Sequence, residues 1–204
     1  IVQSQQRHLN VIDESIKIRM ATKHNDVSLF VINEEDISPQ QDRAIREMLV
    51  VCFPADIEHF QRLSWWRSIA VYRVLGTNDK GSIVSHTALV ERNIIVGPAL
   101  KKMRVVGIQS FCVMPDYRGT GLSNKMMSVV LEEGGRQGFD AGLLFCREQL
   151  LKVYGHMGWS KVDADVYTNS DKKGKTLMPG FIMFYPLNAK QFPPGDIDLA
   201  GADW

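Results

Sequence analysis

Hydrophobic residues along the chain change rhythm several times, and each change marks an element. Val27–Ile32 gathers β-branched and aromatic residues and predicts a first strand. Ser38 followed by Pro39 is a helix start, with Ser as N-cap and Pro in the first turn. Ile45, Met48, Leu49 and Cys52 then recur at the spacing of one helical face, and Pro54 stops the helix. A short amphipathic stretch, Asp56–Leu63, follows. Ile69–Leu75 and Ile83–Val96 predict strands joined by the reversal Gly76-Thr77-Asn78-Asp79-Lys80-Gly81. Val96-Gly97-Pro98 turns the chain again into a third strand, Met103–Met114, so the middle of the chain is an antiparallel meander.

After the glycine-containing break at 115–121, Leu122, Met126, Val129 and Val130 trace a helix from about Leu122 to Arg136 that packs on a sheet. Ala141–Cys146 is a short apolar run suited to a strand buried on both faces. A helix at Glu148–His156, a strand at Trp159–Tyr167, a lysine-bearing loop at Thr168–Gly180 and a last strand at Phe181–Leu187 complete the reading. The predicted class is α/β, with a mixed, mostly antiparallel sheet that needs a crossover helix after the meander. Residues 1–26 read as a polar arm, 27–187 as the domain, and 188–204 as a Pro/Gly-rich tail.

Composition narrows the function. With 204 residues, one domain is expected. The chain is 45% hydrophobic and 23% charged, which excludes disorder and coiled coil as the main class. Its 24 Lys plus Arg against 23 Asp plus Glu leave a net charge of +1, too little for a bulk field that would attract nucleic acid or an anionic membrane. Cys52, Cys112 and Cys146 form no CxxC pair, and an odd count reads as reduced thiols in a cytoplasmic setting. No run approaches membrane-spanning length, and charges interrupt every apolar run in the first 25 residues. There is no HExxH, no metal-type Cys/His spacing and no GxSxG, so neither a metal site nor a serine triad is expected.

Candidate chemistry concentrates at Val113–Ser123, where a strand ends, a glycine turn follows and a helix opens. Gly119 and Gly121 allow close backbone approach, the first helical N–H groups lack partners, and Arg118 adds a cation. That is a candidate pyrophosphate site, or an ordinary strand–helix turn. It matches neither GxxxxGK[ST] nor GxGxxG.

The run Arg118-Gly119-Thr120-Gly121-Leu122-Ser123 resembles the acyl-CoA signature [Q/R]-x-x-G-x-[G/A] of the GNAT (Gcn5-related N-acetyltransferase) superfamily, with Ser123 where Gly or Ala is usual. Tyr154-Gly155-His156-Met157-Gly158-Trp159 is similar to a second segment of that family, and the order of elements over about 27–187 matches its fold. The resemblance implies a GNAT fold with a splayed parallel strand pair and flanking helices. It implies acetyl-CoA as donor. Phe111, Cys112 and Val113 would hold the pantetheine arm, 118–123 (Arg118, Gly119, Thr120, Gly121, Leu122, Ser123) would bind the pyrophosphate, and Tyr154 would protonate the departing thiolate. Strand alternation puts Val105, Gly107, Gln109, Phe111 and Val113 on one face.

Within the family the chain looks most like the aminoglycoside 2'-N-acetyltransferase branch, on His86–Arg92, Leu151–Tyr154 and the tail Gly201-Ala202-Asp203-Trp204. That branch places a catalytic Glu where this chain has Gln109, which cannot take a proton but can orient a water. Glu91, His86, Glu148 and His156 are replacement bases without positional support. Trp65-Trp66 would stack on an acceptor or plug the core; Glu91, Asp203 and the Trp204 carboxylate are candidate acceptor contacts. The expected partner is a small-molecule amine, such as an amino sugar, and the family implies a homodimer. Three alternatives stay open: a longer-chain acyltransferase using acyl-CoA or an acyl carrier protein, a protein N-acetyltransferase, and a CoA-binding sensor without catalysis.

Overall fold

The N-cap anticipated at Ser38 forms, and Gln41 completes it into a reciprocal pair: the Ser38 Oγ accepts from the Gln41 backbone N–H at 3.2 Å, and the Gln41 side chain accepts from the Ser38 N–H at 2.9 Å. The structure, a computed structural model, describes residues 18–20, 27–171 and 174–204. The rest of the expected 1–26 arm, and Lys172 and Lys173, lie outside the described residues. In chain order the elements are β1 (Ile18–Met20), β2 (Val27–Asn33), α1 (Pro39–Cys52), α2 (Ile57–Phe60), β3 (Tyr72–Thr77), β4 (Ile83–Val96), β5 (Lys101–Val113), α3 (Leu122–Arg136), β6 (Ala141–Cys146), α4 (Leu151–His156), β7 (Ser160–Val162), β8 (Val166–Asp171), β9 (Gly174–Leu177), β10 (Phe181–Pro186) and β11 (Ile197–Asp198).

The sheet runs β1-β2-β3-β4-β5-β6-β10-β7, antiparallel throughout this path except for the parallel pair β5–β6 that the α3 crossover joins. It is thus the mixed, mostly antiparallel sheet with flanking helices that the sequence predicts. One face carries α3, whose Leu122, Met126, Met127, Val129 and Val130 pack with Val106, Ile108 and Leu144. The opposite face is shared. Toward one end α1 packs Ile45, Met48 and Leu49 against Leu75 and Cys112. Toward the other, Val166, Ile197, Leu199 and Trp204 cover Val90, Val105 and Leu143.

Three expectations are corrected. The loop expected at Thr168–Gly180 is largely the hairpin β8–β9; its polar composition hid the strands, because β9 is exposed along its whole length. The single strand expected at Trp159–Tyr167 breaks between Val162 and Val166 into β7, which pairs β10, and β8, which pairs β9 and β11. Within the expected arm, Ile18–Met20 pairs with β2.

The tail is part of the fold. β11 pairs antiparallel with the end of β4 and parallel with β8, and Lys175 Nζ meets Asp198 at 2.6 Å. Trp204 lies against Phe145, with ring centroids 5.1 Å apart. Its indole fills the space over Gly107, where a Cβ would fall on ring carbons, so only glycine lets the last residue seat here.

Arg73 on β3 is fully buried. Its Nε and Nη2 donate to the two Glu34 carboxylate oxygens at 2.6 Å each, and Nη1 donates to Ser64 O at 3.0 Å and to His86 Nε2 at 3.2 Å. Three segments thus converge on one cation, whose charge is matched in a bidentate pair. Two predictions follow from this packing. Arg73→Met strands Glu34 and the acceptors on Ser64 and His86, and urea unfolding should show a loss of about 3–5 kcal/mol, toward the lower figure because Glu34 keeps some water. Gly107→Ala should lower stability by about 1–3 kcal/mol through overpacking, with near-ultraviolet dichroism reporting the displaced indole; an unchanged signal would show that Trp204 does not rest there.

Candidate active site

The β4–β5 ladder runs in register from Val96↔Lys101 to Ala88↔Gln109, then resumes at His86↔Cys112. Ser110 and Phe111 therefore oppose Thr87 together, which is a β-bulge. Ser110 sits at φ 52, in the left-handed region that a serine rarely adopts. Two hydrogen bonds hold it: Thr87 Oγ1 donates to Gln109 O at 3.0 Å, and His86 Nδ1 lies 3.1 Å from Ser110 O. Arg73 can only donate, so His86 Nε2 accepts and the proton resides on Nδ1. The imidazole is kept neutral, with its pKa lowered to about 3, first by burial and then by the Arg73 charge.

The bulge reverses the strand's faces. Val105, Gly107 and Gln109 point toward the tail and α1, but Phe111 and Val113 pack toward α3, while Cys112 joins the α1 side. The expectation that residues 105 to 113 share one face by alternation is corrected beyond Gln109. At the same place the neighbouring strand leaves: the parallel β5–β6 ladder ends at Ile108↔Leu144, although β5 continues to Val113 and β6 to Cys146.

A cavity of about 360 Å³ opens beside the end of β5 that β6 leaves unpaired. It brings together Phe111, Cys112, Val113, Arg118, Gly119, Leu122, Ser123 and Tyr154 from the sequence reading, with Cys52, Phe53, Tyr117, Leu150, Val153 and Met157 added. At its rim, Gly119 and Gly121 take φ of 74° and 81°. A Cβ at either would meet no atom, so glycine is required there by conformation and not by space. Thr120 Oγ1 donates to Tyr117 O at 2.7 Å, and Arg118 Nε donates to Val113 O at 3.0 Å. The first turn of α3 has neither a capping side chain nor an acidic residue, so its N–H groups and dipole face outward. Thr120 and Gly121 shape this turn without lining the cavity.

Tyr154 enters from α4. That helix ends on Gly158 at φ 89, with Met157 N–H and Trp159 N–H both donating to Tyr154 O. Trp159 is thereby sent into the core over Gly142, and the Tyr154 ring stands 6.3 Å from Phe111. Burial pushes the Tyr154 hydroxyl up to about 12, and the nearby Cys146 and Cys112 thiols push the same way. Cys52, the last residue of α1, lies 3.7 Å through its Sγ from Val113 O. A hydrogen bond from Cys112 lowers the Cys52 thiol to about 7; partial burial opposes this and Arg118 adds to it, while Cys112 itself is pushed well up by the same pairing and by burial.

Other predicted residues lie elsewhere. Gln109 is buried, accepting from Trp66 N–H and donating to Ser68 O, both at 2.6 Å. Trp65 is half-buried, with its C=O 2.7 Å from His59 Nε2, and Trp66 packs against His59 at a tilt, with ring centroids 4.4 Å apart. Glu91 is held bidentate by Arg104, which lowers its carboxyl. Asp203 meets Arg67 at 3.3 Å, and its C=O accepts from Ser68 Oγ at 2.7 Å. Gln109 and the tail thus clasp one segment, Trp66–Ser68, apart from the cavity. No cluster of metal-ligating side chains occurs among the described residues.

The bulge-holding histidine gives a pH signature. An unfolded His titrates near 6.5 and the folded one near 3, so the unfolded chain binds the extra proton between these values and stability falls as pH drops. The contribution should be about 1.4 kcal/mol per pH unit over that window. Urea unfolding of wild type and His86→Asn from pH 7 to 4.5 should show a shallower slope for the variant; parallel slopes would count against a neutral His86.

The comparisons agree with this geometry. A sequence model described as an acetyltransferase (GNAT) domain matches residues 36–162. No curated protein matches the chain. Among solved structures, a GNAT family N-acetyltransferase (YhbS) from Escherichia coli in complex with CoA aligns with a TM-score of 0.57 at 15% identity, over 84% of this chain and 89% of that one. An acyl-CoA N-acyltransferase from Pseudomonas aeruginosa aligns with 0.53 at 16% identity, over 78% and 98%. A GNAT family acetyltransferase from Brucella melitensis in complex with acetyl-CoA aligns with 0.51 at 16% identity, over 83% and 94%. With the motif, the parted strands and the domain match in agreement, the chain belongs to the GNAT acetyltransferase family.

Proposed function

We propose that this protein transfers an acetyl group from acetyl-CoA to a primary amine on a small polar molecule, with an amino sugar or aminoglycoside as the acceptor class. The observation that carries the reading is the cavity at the end of β5, where β6 no longer pairs. It gathers eight residues picked from two separate sequence segments and the strand before them. The uncapped start of α3 and Arg118 suit the donor's pyrophosphate. The strand edge at Phe111–Val113, free of β6, suits an extended pantetheine arm and donors aimed at the thioester oxygen. The amine attacks the thioester carbonyl directly, and the thiolate leaves toward Tyr154, which retains its proton at neutral pH and donates it.

Among the described residues lining the cavity none is Asp, Glu or His. The acceptor therefore loses its proton to water before it attacks, and Gln109 acts at one remove by holding the Trp66–Ser68 segment. A second reading is favoured by the apolar lining: Phe53, Leu150, Val153 and Met157 would also accept an acyl chain longer than acetyl, delivered by CoA or a carrier protein.

Thiol release should be measured with acetyl-CoA and longer acyl-CoAs against a panel of amines. The expected result is turnover with an amino sugar or aminoglycoside, kcat/KM rising with pH toward the acceptor's own pKa, and a loss of about 10²–10⁴-fold in Tyr154→Phe. Unchanged turnover in Tyr154→Phe refutes the acid role. CoA binding without release for any amine refutes transfer and leaves a sensor.

A further inference from the structure

Direct attack by an amine uses no protein nucleophile, yet the donor cleft contains one. Cys52 lines the cavity together with Cys112 and Arg118. Its thiol is within hydrogen-bonding distance of Val113 O, shares the cavity wall with Cys112, and is half-buried, so it is neither sealed in the core nor on the outer surface. Arg118 is anchored beside it through Val113 O. The third cysteine, Cys146, does not line the cavity, and burial pushes its thiol up.

We propose that Cys52 is a covalent modification site for the disulfide form of coenzyme A. The inference rests on the reading of the cleft as a CoA site, since the CoA disulfide carries the same pyrophosphate and pantetheine that the turn and the strand edge would hold. The Cys52 thiolate attacks one sulfur of the disulfide. The Cys52–sulfur bond forms, the bond between the two CoA sulfurs breaks, and one CoA thiolate departs with the electron pair and takes a proton from water. One protein thiol is oxidised, one half of the disulfide is reduced, and a mixed disulfide of Cys52 with CoA remains. Thiol–disulfide exchange is fastest for a thiol that ionises near ambient pH, as Cys52 does. Cys112 holds its proton too firmly to displace the adduct readily, so the mixed disulfide persists until a free thiol reduces it. The modified protein carries its own product in the donor cleft and is closed to fresh acyl-CoA.

The test treats the full chain with CoA disulfide or glutathione disulfide at equal concentration, followed by intact mass and peptide mapping. Binding of desulfo-CoA is measured by calorimetry in parallel. The expected result is one CoA moiety on Cys52, forming roughly tenfold or more faster than the glutathione adduct because the cleft supplies proximity. Desulfo-CoA should slow it, Cys112→Ala should slow it, Cys146→Ser should not, and Cys52→Ser should abolish it while still binding desulfo-CoA. An adduct mapped to Cys146, or equal rates for the two disulfides, overturns the proposal. Desulfo-CoA binding to wild type without adduct overturns it and leaves the donor reading standing, whereas no desulfo-CoA binding removes both.

Discussion

The candidate site depends on one irregularity in one strand. β5 begins as an ordinary partner of β4 and β6, and an inserted residue at Ser110 then turns its remaining side chains over. From that point Phe111 and Val113 face the α3 side, Cys112 faces α1, and β6 no longer pairs. A regular strand would have continued the ladder and left no opening. The left-handed serine is a local strain, and such strain persists only where its surroundings over-determine it. Here they do so through His86 and Thr87 on the neighbouring strand, and through the buried Arg73 that fixes the histidine's proton.

The same network ties the Ser64–Ser68 segment to the sheet. Ser64 O accepts from Arg73, Gln109 bridges Trp66 and Ser68, and Arg92 reaches both Ser68 Oγ and Ala202 O. Asp203 and Ser68 close the loop onto the tail. Residues with polar side chains and no place in the cavity wall are thus occupied in holding backbone, which is the usual fate of buried polar groups.

Much of this was legible in the sequence because local signals and fold agree. The Ser38–Pro39 start, the limits of β4, β6 and α3, and the glycine turn at 118–121 all follow from short-range physics. The bulge was not legible: Val105–Val113 alternates smoothly on paper, and nothing in Ser110 itself announces a left-handed residue. Cys52 looked like one more apolar position of α1, and only the third dimension sets it beside Arg118. The strand β9 was masked by exposure, since a strand with two wet faces shows no hydrophobic period. Trp204 could be assigned no burial from sequence, because its socket is the missing side chain of Gly107, nearly a hundred positions away along the chain.

The opening of α3 has one more implication. Its leading turn lacks any side chain that satisfies the amides, and Gly121 contributes no oxygen of its own. A docked anion would complete the secondary structure in the way a serine or aspartate ordinarily does. Affinity for such a ligand and the firmness of this helix therefore draw on the same unmet amides. Supplying a built-in cap would stiffen the resting protein and, to the same extent, make it indifferent to any such anion.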